Sequence, residues 1–362
     1  MQVFQKTFRL EKINKLPEIF VIYCLSKDSV YCESLGDNKT LERSKNKIEK
    51  IDQNKWTKIR KFVNIYENPG TKSKNKPISR AYFKLKEILI DFKINLNSET
   101  FHIAESPGGF IQSVLEYKNS RYSHAKKCYT VSLSSSSPGV PIYHKSIIDN
   151  VLVEILSPGN GDITVLKNIL LVKEKTKKHF GFVSADGGFG EYGNSFNNKE
   201  KTHQSLIISE ITLALLVLEP CGTLVLKIFD IFTIVSCELL LLLSFLFEQV
   251  YITKPFTSRH TNSEKYLVCK YFIKTNFDTT ISNTLVRIIQ NLHCKEKSLE
   301  KIFSSVPDSF LKEIRDINKS FSYNQCKGIE ETLLFIKHGN TDPNFSKKKI
   351  DMNKKWNEMY KL

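Results

Sequence analysis

FHIAESPGGFIQSVLEYK (Phe101–Lys118) is the stretch on which the fold reading turns. Its first part, FHIAESPGG, reads as a strand running into a tight turn, and FIQSVLEYK as the helix that follows. Gly108 and Gly109 carry no Cβ, so a ligand can approach the backbone closely there. The first N–H groups of the following helix lack partners within the helix and point back toward the turn. An ordinary strand-to-helix turn has the same signature, so the motif gains meaning only from its surroundings. Working outward, the alternation recurs. SRAYFKLKEILIDF places Tyr82, Phe83, Leu85, Ile88 and Leu89 at helical spacing. Downstream come the strand CYTVSL, then HFGFVSADGG, a strand ending in an acid and a glycine pair. The helix SLIISEITLALLVLEP, the strand GTLVLKIFD, the helix CELLLLLSFLF and the strand SEKYLVCKYF follow. Strands alternating with helices predict an α/β fold, a mainly parallel sheet with helices on both faces. In such sheets ligands sit at the carboxyl ends of the strands, where the strand order reverses.

The chain has 362 residues, room for one large domain with extensions or for two domains. Hydrophobic residues are 41% of it, with 24 Phe and 14 Tyr, which excludes a wholly disordered chain. Lys and Arg number 54 against 38 Asp and Glu, a net charge of +16 that points to a polyanionic partner. Fourteen cations and four anions fall between Leu41 and Lys86, so most of the excess lies just before and within the first predicted helix. The composition divides the chain into a basic N-terminal extension (1–75), an α/β domain (76–273) and a mostly helical C-terminal accessory region (274–362). The run from Ile228 to Val250 is the most apolar, but Asp230, Glu238 and Glu248 interrupt it. It reads as a strand end and a core helix, not a membrane span. The eight cysteines show no CxxC spacing, so no metal site is expected. They fit reduced thiols in a cytoplasmic or nuclear protein, and the N-terminus has no apolar segment of the secretory kind.

Gly188, Gly190 and Gly193 form a GxGxxG string, but it runs into polar NSFNNKEK instead of an apolar helix, which excludes the dinucleotide-binding reading. No GxxxxGK[ST] is present, so a P-loop ATPase is excluded as well. Four other residues stand out. Lys84 lies on the first helix, Asp186 ends a strand, Lys227 lies near the end of another, and Glu264 opens the last. Lys227 sits among Val225, Leu226, Ile228 and Phe229, and burying it requires pairing or neutrality. Each of the four taken alone fits a structural role; together and in order they suggest a site.

SRAYFKL, PGG, SADGG, LVLKIF and KPFTSRHTNSEKYLVCKYF together resemble the FtsJ-like (RrmJ-type) RNA ribose 2′-O-methyltransferases, in particular the cap-type members of eukaryotes and large DNA viruses. The resemblance spans about residues 78–272. It implies a Rossmann-like sheet and S-adenosylmethionine as cofactor. It implies a tetrad of Lys84, Asp186, Lys227 and Glu264. It also implies donor contacts from Pro107, Gly108, Gly109 and Phe110, from Asp162 at the adenine amine, and from Asp186. Two positions depart from the family pattern. His102 stands where an acid is usual, leaving Glu105, with Ser106 beside it, to take that part. The second strand ends in SLSSSSPG, leaving Ser132 or Ser134 for the donor ribose. The chemistry follows on general grounds. A ribose hydroxyl must lose its proton as it attacks a methyl group, so a base neutral at working pH is needed. Burial and a neighbouring cation, Lys84, are expected to make Lys227 that base, with Asp186 and Glu264 orienting the amines.

RNA is the expected partner. Arg80, Lys254, Arg259 and His260 flank the tetrad and are expected to grip phosphates, and Tyr82 to stack on a base. The leading substrate is the first transcribed nucleotides of capped mRNA, with the extensions available to other capping or transcription proteins. A chain of viral origin would work in the host cytoplasm, a virus factory or the virion. Ribosomal or transfer RNA is the competing substrate. An inactive RNA-binding or assembly subunit that retains the fold is the competing class.

Overall fold

The alternating runs do assemble into one sheet. The computed structural model describes residues 6–25, 35–36, 38–69, 76–124, 126–134, 140–188, 199–293 and 297–361. The N-terminal region contributes β1 (Thr7–Arg9), β2 (Ile19–Leu25), α1 (Asn38–Glu49) and α2 (Gln53–Val63). The central part runs α3 (Ala81–Asp91), β3 (Thr100–Ile103), α4 (Gly109–Arg121), β4 (Cys128–Val131), α5 (Lys145–Ile148), β5 (Val153–Leu156), α6 (Leu166–Thr176) and β6 (Phe180–Ala185). It continues with α7 (Lys199–Val217), β7 (Leu218–Ile228), α8 (Ile234–Leu246), β8 (Phe247–Thr253) and β9 (Lys265–Phe272). The remainder is α9 (Thr279–His293), β10 (Lys297–Phe303), α10 (Asp308–His338) and α11 (Phe345–Met359).

The sheet has eight strands in the order β1-β8-β9-β7-β6-β3-β4-β5. Strands β3 to β7 run parallel, and β9, β8 and β1 follow in antiparallel pairs. A parallel strand covered on both faces must be apolar throughout; Leu224, Val225 and Leu226 of β7 are fully buried. Leu85, Ile88 and Leu89 of α3 pack with Phe110 and Val114 of α4 on one face. Residues of α6, α7, α8 and α9 pack on the other.

The apolar run at 228–250 becomes the end of β7, then α8 and the start of β8. Among the described residues no helix is long and apolar enough to cross a membrane. Two of the three acids that interrupt the run are used internally. Glu238 accepts the Ile302 and Phe303 N–H groups of β10 at 2.7 and 3.2 Å, and Asp230 binds Lys45 of α1 at 2.9 Å.

The terminal regions are built into the fold. β1 extends the central sheet through Thr7–Thr253 to Arg9–Tyr251 pairing, and β2 pairs with β10 in a second, two-stranded sheet. Leu41 and Ile48 of α1 and Trp56 of α2 share a core with Cys326 and Ile329 of α10. Trp356 of α11 packs with Tyr82 and Phe83 of α3.

Candidate active site

The strand order reverses between β3 and β6. The chain lays down β3, β4 and β5 outward, then returns to place β6 on the other side of β3. Ala104 bends sharply here with φ of +54° while its N–H bonds to Val131, and the Asp186 N–H reaches Ile103 at 3.3 Å. The carboxyl ends of β3, β4 and β6 therefore meet at one place. The Pro-Gly-Gly turn lies above them. Its glycines admit protein rather than leaving open space. A Cβ on Gly109 would stand 2.2 Å from Ser79 Oγ, and one on Gly108, at φ +108°, 2.7 Å from Ile147. The start of α3 is thereby drawn down onto the start of α4, with Phe110 fully buried beneath.

Glu105 follows β3 and is 4% exposed. Ser184 donates to one of its oxygens; the other makes no hydrogen bond and lies 3.3 Å from His102 Nδ1. Burial pushes its pKa well above the ordinary carboxyl value. His102, at the departing position, is fully buried between Thr100 (2.9 Å) and Ser184 (2.8 Å). Beyond β4, Ser132 is half-buried, and its carbonyl leaves room only for a glycine at 161. Ser134 is exposed and its N–H bonds to Asn160. Asp162 accepts the Thr164 N–H and hydroxyl through one oxygen, at 2.9 and 2.7 Å. Tyr143, which nothing in the sequence singled out, reaches Thr130 at 2.7 Å and lies between Ser106 and Ser132. Burial pushes its phenol up to about 12. This polar set, with the buried Glu105 carboxyl at the strand switch, fits a ligand rich in hydroxyl and amino groups, as S-adenosylmethionine is.

The four singled-out residues come together beside this cradle. Register does it on one side: Ala185 pairs with Leu226, which sets Asp186 next to Lys227, and Lys227 pairs with Tyr266, two residues past Glu264. Lys227 Nζ lies 3.1 Å from Asp186 Oδ1 and donates to the Asp186 carbonyl at 2.6 Å. Lys84 Nζ lies 2.8 Å from Glu264 Oε1, which also accepts from Ser258 at 3.0 Å. Burial raises the Glu264 carboxyl, but Lys84 and Lys227 outweigh it and hold it well below the usual range. Beneath them Glu210 accepts the Gly187 N–H at 3.0 Å, and burial pushes it up to about 8.

One expectation is reversed. Burial, the largest single influence on Lys227, pushes its pKa down, yet Asp186, Glu264 and Glu210 together push it further up. The free protein therefore favours a charged Lys227, not a neutral one. Lys84 does not counter this, because Glu264 offsets its charge.

The residues expected to touch RNA are largely engaged inside the protein. Arg80 and Arg259 both bind Glu67, and Lys254 donates to the carbonyls of Asn262 (2.8 Å) and Glu264 (2.7 Å). Burial, then the neighbouring Lys265, pushes Lys254 down to about 7. Burial and Lys254 hold His260 near 4, so it is neutral at physiological pH. Tyr82 is 2% exposed with its hydroxyl on Glu116, which makes it a core residue and not a stacking surface. Other residues line the open space. A cavity of about 220 Å³ holds Lys227 and Glu264 at one end and Lys45, Trp56 and Arg60 of α1 and α2 at the other. Through Arg60 and Thr261 it adjoins a second cavity of about 280 Å³ that reaches Lys327 and Lys348. The basic run between Leu41 and Lys86, which contains Lys45 and Arg60, gave the signal of this in the sequence.

Gly190 and Gly193 of the GxGxxG string, and Cys32 and Cys294, lie outside the described residues. The other six cysteines are free thiols.

A Rossmann-like sheet with polar side chains gathered at its switch point is the fold of the S-adenosylmethionine-dependent methyltransferases. The chain belongs to the FtsJ-like methyltransferase family, whose model matches residues 77–272, more than half of its length. It is 26% identical over 320 residues to the "Cap-specific mRNA (nucleoside-2'-O-)-methyltransferase 1" of Trypanosoma cruzi, covering 81% of this chain and 84% of that protein. It is 30% identical over 281 residues to the "Cap-specific mRNA (nucleoside-2'-O-)-methyltransferase 2" of Pongo abelii, covering 70% of this chain but only 35% of that protein. An African swine fever virus protein named "Probable methyltransferase EP424R" is 26% identical over 285 residues, covering 71% of this chain and 67% of its own.

Proposed function

We propose that the protein methylates a ribose 2′-hydroxyl of RNA, at the first transcribed nucleotides of capped mRNA. The observation that carries this reading is the meeting of two lysine–carboxylate pairs, Lys227–Asp186 at 3.1 Å and Lys84–Glu264 at 2.8 Å, at the carboxyl edge of a methyltransferase sheet. Relatives named as cap-specific mRNA 2′-O-methyltransferases, matched beyond the common domain, support the choice of substrate.

Glu105, Ser106, Ser132 and Asp162, with the backbone of Pro107 to Phe110 and with Asp186, would hold S-adenosylmethionine. When bound, that molecule supplies a methyl group carried on a positively charged sulfur. Lys227 is the base in this reading. It accepts the hydroxyl proton once a second positive charge nearby offsets Asp186 and Glu264 and favours its neutral form. Asp186 keeps the Lys227 amine aimed, and Glu264 keeps Lys84 beside it. The rest of the rate comes from alignment of hydroxyl and methyl group. The cavity of about 220 Å³ that Arg60 shares with Lys227 and Glu264 gives the RNA room beside the reacting ribose.

The test is transfer of labelled methyl groups to capped RNA, to uncapped RNA, and to capped RNA already 2′-O-methylated at its first nucleotide. Lys227→Ala serves as the control. Transfer to capped RNA alone, blocked by prior methylation and lost in Lys227→Ala, is the expected result. Equal transfer to uncapped RNA would move the substrate to structured RNA. Failure on every RNA, with no donor binding by calorimetry, would leave an RNA-binding or assembly module.

A further inference from the structure

Glu67 lies in the turn after α2, outside the segment matched by the family model. Its carboxylate takes the Arg259 guanidinium side-on, with Nε at 2.9 Å from Oε2 and Nη2 on Oε1. Arg80 Nη1 stands 3.0 Å from Oε2, and Asn64 donates to the same oxygen at 2.8 Å. Arg80 also donates to the carbonyls of Glu67 and Thr257. Burial opposes the charge, but Arg259, Arg80 and Asn64 hold the carboxyl down to about 2.

The two arginines belong to the two segments that form half of the tetrad. Arg80 directly precedes α3, and Lys84 and Glu87 follow four and seven residues on, so all three share one helix face. Arg259 lies in the β8–β9 loop, five residues before Glu264. That loop is tied to α3 beyond Lys84 by Glu87, which accepts the Phe256 and Thr257 N–H groups at 2.6 and 2.8 Å. Before Lys84 it is tied by Arg80, through Thr257 and through Glu67. The Lys84–Glu264 pair spans the gap between these two ties. Without the Glu67 charge, two guanidiniums would face each other across that gap and push its sides apart.

We infer that Glu67 is a positioning residue that holds the Glu264 loop against the Lys84 helix and so fixes their pairing beside Lys227. The inference rests on the reading of that pair as part of the catalytic group. The test uses the full chain with Glu67→Gln, which keeps shape and removes charge, Glu67→Asp, and the double variant Glu67→Gln/Arg259→Gln, which also removes the repulsion. For Glu67→Gln, kcat on capped RNA falls about tenfold or more, as misplacement near a reacting centre does, while KM for S-adenosylmethionine stays within about twofold. Glu67→Asp and the double variant recover part of the loss.

A second readout needs no RNA. Lys84 is 13% exposed beside Glu264. In Glu67→Gln its amine labels several-fold faster with trace acetic anhydride, while the fully buried Lys118 is unchanged. Equal Lys84 labelling and a kcat within about twofold of wild type would overturn the inference. So would a double variant slower than Glu67→Gln alone. If Glu67→Gln does not fold, Glu67→Asp is scored by the same labelling, and a rate no faster than wild type overturns the inference. If wild-type protein methylates no RNA, the functional reading fails, and the labelling still decides the role of Glu67.

Discussion

Replacing Glu87 by Gln probes how the loop behind the site is held. The carboxylate is fully buried on α3, three residues after Lys84. One oxygen accepts the Thr257 N–H at 2.8 Å, the Thr257 hydroxyl at 2.7 Å and the Trp356 indole N–H at 3.1 Å. The other accepts the Phe256 N–H at 2.6 Å, with Lys6 Nζ 3.8 Å away. Gln has the same outline and one acceptor oxygen. With that oxygen toward Thr257 and Trp356, its amide group meets the Phe256 N–H donor to donor. Two buried donors then lack partners, at about 1–3 kcal/mol each. Against this, burial disfavours the Glu87 charge, and Gln removes that penalty. The expected net loss is about 3 kcal/mol, roughly a hundredfold in the folding equilibrium, read as a lower urea midpoint at unchanged slope. Methyl transfer falls with it, because Phe256 and Thr257 begin the loop that carries Glu264, while donor affinity, which the proposed function assigns to β3, β4 and β6, holds. A Gln variant within about 0.5 kcal/mol of wild type would refute Glu87 as the loop's acceptor. Lost stability with unchanged transfer would refute the link from loop to site.

Two further outcomes follow from the charges. The Glu67 carboxyl is lowered from 4.5 to about 2, so its ionised form stabilises the fold above 4.5 and that contribution disappears as pH falls through about 2. Urea midpoints of wild type and Glu67→Gln should therefore differ most above 4.5 and converge toward 2. Lys227→Arg keeps a cation beside Asp186 but cannot release its proton, so transfer should fall by about 10²–10⁴ with donor binding retained. A rate within about tenfold of wild type would make Lys227 a fixed cation rather than a base.

The strands and helices that build the site were legible because their signals are local. The turn at 105–109, the helical spacing around Lys84 and the acid closing β6 each lie within about a dozen residues. β8 was missed because Phe247 continues the apolar run of α8 without a break. β1, β2 and β10 were missed because their partners are remote: Thr7 pairs with Thr253, and Cys24 with Ser298. The same distance hid the fate of the basic residues. Arg80 and Arg259 read as free cations in sequence, and the carboxylate they share lies 13 residues from one and 192 from the other. Lys227 misled for a related reason. Its neighbours along β7 are apolar and argue for neutrality, whereas the acids that act on it, Asp186, Glu264 and Glu210, come from other segments.

In the proposed reaction the charge arrangement bears on when Lys227 can act as base. Among the described residues around it, the cations are engaged: Lys227 on Asp186, Lys84 on Glu264, Arg80 and Arg259 on Glu67, Lys45 and Lys265 on Asp230. Pairs so complete leave Lys227 under the net pull of acids, which is why its proton is held despite burial. An RNA phosphate arriving alone adds negative charge and tightens that hold. A positive charge arriving near Asp186 loosens it. In the proposed reaction Lys227 is therefore ready to accept a proton only with the donor in place, and RNA bound first keeps the lysine charged and the ribose hydroxyl intact.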